Sequence, residues 1–510
     1  MTSASDAQWK KIGRYDHHGI ALPLFSLRNP QSSGIGEFLD LIPMIEWCHE
    51  IGFNVIQLLP MNDSGSDSSP YSALSAMALH PIYLTLAALP FLDLVPDYEE
   101  KLAALTGSNS DERFNYPLVR KNKEAFLRDY FKCAFSHIQA LPDFQAFIQN
   151  ESWLNDYARF KSLKDRNLQK PWWEWDNSLQ ATDDELNFYK MEQYLAFSQW
   201  EKVKKAAETL GIFLKGDIPI LINRDSASTW THRDLFNFNF SAGAPPDMYS
   251  ADGQCWGFPI YDWKINEETD YSWWKERLRV AEKLYHLYRL DHVVGFFRIW
   301  AVPLGKKAKE GFFIPQDTKE WMPLGEKILR MLLSSSSMLP IGEDLGDVPP
   351  EARLKLRELG IPGTKVYRWE RRWNTDRSYI PVEDYIPESM TCVSTHDSET
   401  LSGWWDKNGE EVLSFCQFKG WEYSQGFSFE RRFEILHDSH RSGSLFHINL
   451  LHEYLNLFPE LSRENPDDER INIPGLVLDR NWTYRFKPTI EEITSHKKLG
   501  HVMKSLASLP

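Results

Sequence analysis

The 510-residue chain sets 57 Lys and Arg against 72 Asp and Glu, a formal net charge of −15. That excess of anions repels a phosphate backbone, and no basic stripe with interleaved aromatics offsets it, so nucleic acid is excluded as a partner. The length allows one large, elaborated core, and no stretch approaches the about 20 apolar residues of a membrane helix, so the chain reads as soluble.

Residues 1–18 are polar and hold Asp6, Lys10, Lys11 and Arg14 without the apolar run of a secretory signal, so a cytoplasmic location is expected. Five scattered cysteines (Cys48, Cys133, Cys255, Cys392, Cys416), none in a Cys-x-x-Cys pair, suit neither a disulfide framework nor a zinc knuckle. Tryptophan is abundant, 20 residues with clusters at Trp172, Trp173, Trp175 and at Trp273, Trp274. Such flat amphipathic rings suit a pyranose, although core packing accounts for most of them in any protein.

In chain order, short β-rich runs fall at residues 20–25, 55–59, 213–217, 287–291, 339–343, 364–367, 391–394 and 471–473. Amphipathic stretches separate them. Leu41, Ile45, Cys48 and Ile51 share a face before Gly52, and Met191, Leu195, Val203, Ala206 and Leu210 do so before Gly211, each glycine reading as a helix C-cap. Helical spacing from Trp274 through Leu278, Ala281, Leu284 and Tyr285 leads into the run ending at Asp291. This rhythm predicts an α/β fold, a (β/α)8 TIM barrel with helical insertions, the largest between the second and third barrel strands. We expect one catalytic barrel domain over residues 1–510, an inserted, mostly helical subdomain at 92–190, and a loop insertion at 225–265 covering the active-site cleft.

Three acids stand where predicted strands end: Asp291 in Arg289-Leu290-Asp291-His292, Glu343 in Gly342-Glu343-Asp344-Leu345-Gly346, and Asp397 in Thr395-His396-Asp397. The C-terminal rim of such a barrel is its active face. Helix N-capping competes for each acid singly, but Glu is a poor cap, and Arg289 lies two positions before Asp291 on the same side of its strand. Paired carboxyls on adjacent strands match retaining glycosidic cleavage, one as nucleophile and one as proton donor. Neighbouring anions are expected to raise the proton affinity of Glu343.

These segments resemble 4-α-glucanotransferases of the amylomaltase, or disproportionating-enzyme, type, relatives of the α-amylases. Ser69-Pro70-Tyr71 is similar to that family's donor-site tyrosine loop, and Lys215-Gly216-Asp217-Ile218-Pro219 to a strand bearing a further active-site Asp. Gly243-Ala244-Pro245-Pro246-Asp247 with Gly253-Gln254-Cys255-Trp256-Gly257 resembles the loop over the glucan channel, and Asn472-Ile473-Pro474-Gly475 with Asn481-Trp482 also matches. The resemblance implies transfer of α-1,4-glucan segments between maltooligosaccharides by double displacement. It makes Asp291 the nucleophile, Glu343 the acid/base and Asp397 the transition-state stabiliser. Tyr71, Asp217, Gln254, Trp256, Arg289 and His396 are then the substrate-binding set.

Two departures stand out: Val293-Val294 where the family commonly has Phe-Arg, and Ser398-Glu399 where it has Asn-Asp. The same residues would serve a hydrolase of the α-amylase or α-glucosidase kind, whereas a catalytically dead glucan-binding protein could afford to lose any of Asp291, Glu343 or Asp397, and the presence of all three argues against it. No obligatory cofactor or metal is expected, because His17-His18 lacks an H-E-x-x-H context and Gly34-Ile35-Gly36 lacks the rest of a dinucleotide fingerprint.

Overall fold

The computed structural model describes residues 3–108, 111–246, 251–373 and 375–508. Eight parallel strands close into a barrel in sequence order: β1 (His17–Leu22), β2 (Val55–Leu58), β3 (Phe213–Ile218), β4 (Leu287–Leu290), β5 (Leu339–Gly342), β6 (Gly363–Val366), β7 (Ser389–Cys392) and β8 (Phe446–Leu450). Helices cover the outside, so strands such as β2, β5 and β8 are buried along their whole length rather than alternately.

Seven expected strands lie within a few residues of those observed. Asp291 and Glu343 fall one residue past their strands rather than ending them. The eighth expectation is corrected. Residues 471–473 form a loop, and the closing strand is β8, paired to β1 from His17↔Phe446 to Ala21↔Leu450. The buried polar side chains His447 and Asn449 break the apolar run that normally advertises such a strand.

The helix Leu41–Glu50 buries Leu41, Met44, Ile45 and Cys48 and is followed by Gly52 at φ 80°. The helix Asp183–Thr209 opens on a Thr182–Glu185 capping box and is followed by Gly211 at φ 68°. Both glycines occupy the left-handed conformation that terminates a helix cheaply. The segment between β2 and β3, residues 59–212, also contains the helices Tyr98–Leu105, Tyr116–Gln139, Pro142–Asn150 and Leu154–Arg166. It is the longest connection in the barrel.

Two features were not legible in the sequence. The helix Asp6–Ile12 plugs the N-terminal end of the barrel, where Trp9 Nε1 donates to the Gly360 carbonyl (2.9 Å) and its ring packs on Phe446. On the opposite end, an antiparallel sheet joins the β3–β4 and β4–β5 connections in the order Phe312–Ile314, Ile299–Pro303, Phe240–Ala244, Gln254–Cys255. That sheet fixes Gln254 at its edge. No described helix is long and apolar enough to cross a membrane.

Candidate active site

Strand register builds the first half of the site. Asp217 on β3 and Arg289 on β4 are paired residues, and Arg289 is also paired with Ile341 on β5. The Arg289 guanidinium stands between three acids: Nη1 lies 3.1 and 3.0 Å from the two Asp217 oxygens and 2.6 Å from Asp291 Oδ1, and Nη2 lies 3.8 Å from Glu343 Oε2. Beyond the strands, the backbone keeps to its extended path. Asp291 N donates to the Ile218 carbonyl (3.3 Å) and Glu343 N to the Leu290 carbonyl (3.0 Å). Glu343 receives two further backbone donors, His292 N at 3.0 Å on Oε2 and Leu345 N at 3.1 Å on Oε1. His292 adopts φ 47°, a sparsely populated conformation for a non-glycine residue, and this turn aims its N–H at the carboxyl. Asp291 Oδ2 has no hydrogen-bond partner among the described residues.

The second half continues the same network. Tyr71 donates its only hydroxyl proton to Asp217 Oδ2 (2.7 Å), so His396 Nε2, 3.0 Å away, must donate to the tyrosine oxygen. The same Nε2 lies 3.3 Å from Asp397 Oδ2, and Asn472 Nδ2 donates to Asp397 Oδ1 at 2.7 Å. Tyr71 and His396 are stacked (centroids 5.5 Å apart, 15° between planes), with Trp482 tilted against both. Across the cleft, Trp256 donates its indole N–H to Gln254 Oε1 (3.0 Å) and meets His292 edge-on.

The two halves hold protons differently. Burial pushes the Glu343 carboxyl up to about 7, Arg289 opposing and the Asp291 charge adding to the rise. The anion effect expected from sequence is therefore secondary to burial, and it comes from Asp291. Asp397 goes the other way. Burial alone would raise it, but the His396 ring, the Asn472 amide and Arg289 hold it well below the usual carboxylate range. Asp217 is raised, first by burial. Beneath it, Lys215 Nζ is buried against Gln57 Oε1 (2.6 Å) and Met390 Sδ (2.9 Å), and burial, then Arg289, bring it down to about 7.

These groups surround one cavity of about 460 Å³, within the range of small-ligand sites. Tyr71, Gln254, Trp256, Arg289, Asp291, Glu343, His396 and Asp397 line it, and Asp217 sits just behind Tyr71 and Arg289. All nine residues singled out in the sequence thus meet in one place. Asp247 of the channel-loop motif lies outside the described residues. Four further residues belong to the site: His292, Asn472 and Trp482, each beside or within a motif already noted, and Trp369, which follows β6 where no acid drew attention. Val293 and Val294 are buried away from the cavity, Val293 packing over Gly342. Glu399 faces Arg368 (3.5 Å) and Arg470 (3.6 Å), and Arg470 in turn holds the Asp397 carbonyl (3.3 Å). Among the described residues no group of three or more His, Cys, Asp or Glu is placed to hold a metal ion.

Residues 22–491 match the family described as 4-alpha-glucanotransferase. The chain belongs to that family. It is 43% identical to a 4-alpha-glucanotransferase of Chlamydia pneumoniae over 99% of this chain and 98% of the relative, and 45% identical to one of Chlamydia caviae over 97% and 95%. A 4-alpha-glucanotransferase of Aquifex aeolicus is 30% identical over 94% and 96%. Among solved structures, the amylomaltase of Streptococcus agalactiae in complex with acarbose superimposes with a TM-score of 0.81 at 24% identity, over 97% of this chain and 99% of that one. These last two chains share a fold. Family membership across nearly the whole length makes this protein a glucan-transferring enzyme.

Proposed function

We propose that this 4-alpha-glucanotransferase moves α-1,4-glucan segments by retaining double displacement, with Asp291 as nucleophile and Glu343 as acid and base. Asp291 Oδ2, the oxygen left without a partner, attacks the anomeric carbon. The glycosidic C–O bond breaks, and its electron pair leaves on the departing glucan's O4, which takes the Glu343 proton. A glucosyl ester on Asp291 remains. The 4-hydroxyl of an incoming glucan then loses its proton to Glu343 and attacks the anomeric carbon, releasing the Asp291 carboxylate. Two inversions retain the configuration.

The observation that carries this assignment is the shared guanidinium. One Arg289 side chain lies between Asp291 and Glu343, so both carboxyls face a single reacting centre from adjacent strands. Asp397, kept anionic by His396 and Asn472, stabilises positive charge growing on the ring. Tyr71, Asp217, Arg289 and His396 form the wall behind that sugar. Gln254 and Trp256 line the opposite side.

Maltotriose tests the reading. Glucose together with a ladder of longer maltooligosaccharides supports transfer, glucose and maltose alone mean hydrolysis, and unchanged substrate means binding without chemistry. Asp291→Asn keeps the shape and removes the nucleophile, so its ladder disappears.

A further inference from the structure

The loop that follows β6 places two indoles four residues apart, one inside the cavity and one outside. Trp369 lines the catalytic cavity. Trp373 leaves 53% of its surface in water. Its indole N–H donates to the Trp369 carbonyl (3.1 Å), which ties the exposed ring to the cavity wall.

The loop is braced. Arg372 N donates to the Ser378 carbonyl (2.9 Å) and Ile380 N to the Glu370 carbonyl (3.0 Å), and an antiparallel bridge joins Arg371 and Tyr379. The Arg371 guanidinium lies over the Tyr379 ring, 3.9 Å from its centroid, hydrogen-bonds the Tyr379 hydroxyl, and sits 5.7 Å from the Trp373 centroid. An indole held this firmly, yet left half in water, forfeits the burial its size offers. Trp173 is comparably exposed, but its neighbours Trp172 and Arg224 lie outside the cavity lining, whereas Trp373 is hydrogen-bonded to Trp369, which is part of it.

We propose that Trp373 is a further glucose-binding subsite, which stacks on a unit of an α-glucan chain running out of the cavity past Trp369. The inference rests on the glucan-transfer reading of the cavity. A pyranose offers the matching surface, a flat apolar face with hydroxyls at its rim, and it is uncharged, so the flanking arginines hydrogen-bond it without demanding a counter-charge. The occupant is the outer part of the same chain whose inner bond is broken. Short substrates that end within the cavity do not reach the subsite.

The test compares maltotriose with maltoheptaose in Trp373→Ala. For maltoheptaose kcat/KM falls about five- to tenfold, carried by KM with kcat unchanged, whereas maltotriose stays within about twofold. Trp373→Phe, which keeps a flat ring, recovers most of the loss. In an Asp291→Asn background, calorimetry gives a maltoheptaose Kd weakened by the same factor and an unchanged Kd for maltotriose, a readout that needs no turnover. Equal losses for both sugars, or no weakening of maltoheptaose, overturn the subsite. A wild-type enzyme that yields no products longer than maltotriose instead overturns the transfer reading, and the calorimetric arm still decides the subsite.

Discussion

The ends of β5 and β7 hold their carboxyls in opposite ways. Glu343, past β5, has a side chain 16% exposed, receives only backbone N–H donors, and shares Arg289 with two other acids. Asp397, past β7, is more open, and it meets the amide of Asn472 and a histidine ring that it shares with Tyr71. The first keeps a proton near neutrality and the second does not. Partners and burial, not residue type, thus separate a proton donor from a fixed anion, the division of labour that glycosyl transfer requires.

Removing the proton donor breaks the comparison hardest. Glu343→Gln is expected to lower kcat on maltotriose about 10³–10⁴-fold, while a maltosyl fluoride donor, whose leaving group needs no acid, still forms the covalent intermediate. Asp397→Asn keeps the shape and removes the charge, and steady-state kinetics should show a kcat loss of about 10²–10³-fold with all donors, fluoride included. Asn472→Ala leaves Asp397 with His396 alone, and we expect kcat to fall about tenfold with little change in KM.

The proton itself is visible in the pH profile. Because Glu343 must enter the first step protonated and titrates at about 7, kcat/KM should fall as pH rises through about 7. The same shift carries a stability cost. The folded pKa lies above the ordinary 4.5, so the fold binds an extra proton between those values and loses stability as pH rises from 4.5 towards 7. Glu343→Gln removes that loss. Denaturant melts should show the variant more stable than wild type by on the order of 2 kcal/mol at pH 8 and no more stable at pH 4.

The sequence made this region legible because its chemistry is local. Asp291 and Glu343 follow apolar strands directly, so one strand ending placed each acid on the rim. Asn472 was harder, since its contact with Asp397 spans 75 positions and arrives on a loop that resembled a strand. β8 was missed for the converse reason. Its His447 and Asn449 point into a buried network with Ser439 and Tyr454 and make a core strand look polar. Trp369 and Trp373 gave no signal because aromatic residues beyond a strand usually pack inward, and only coordinates show which do not. The sheet carrying Gln254 joins two separate connections, a pairing no periodicity announces.

The Asp291 ester is the point on which the account turns. Glu343→Gln incubated with maltosyl fluoride, quenched in acid and digested, should give a peptide spanning Asp291 heavier by one maltosyl group, mapped to that residue by fragmentation. An unmodified Asp291 peptide, or a sugar carried on Asp217 or Asp397, would contradict it.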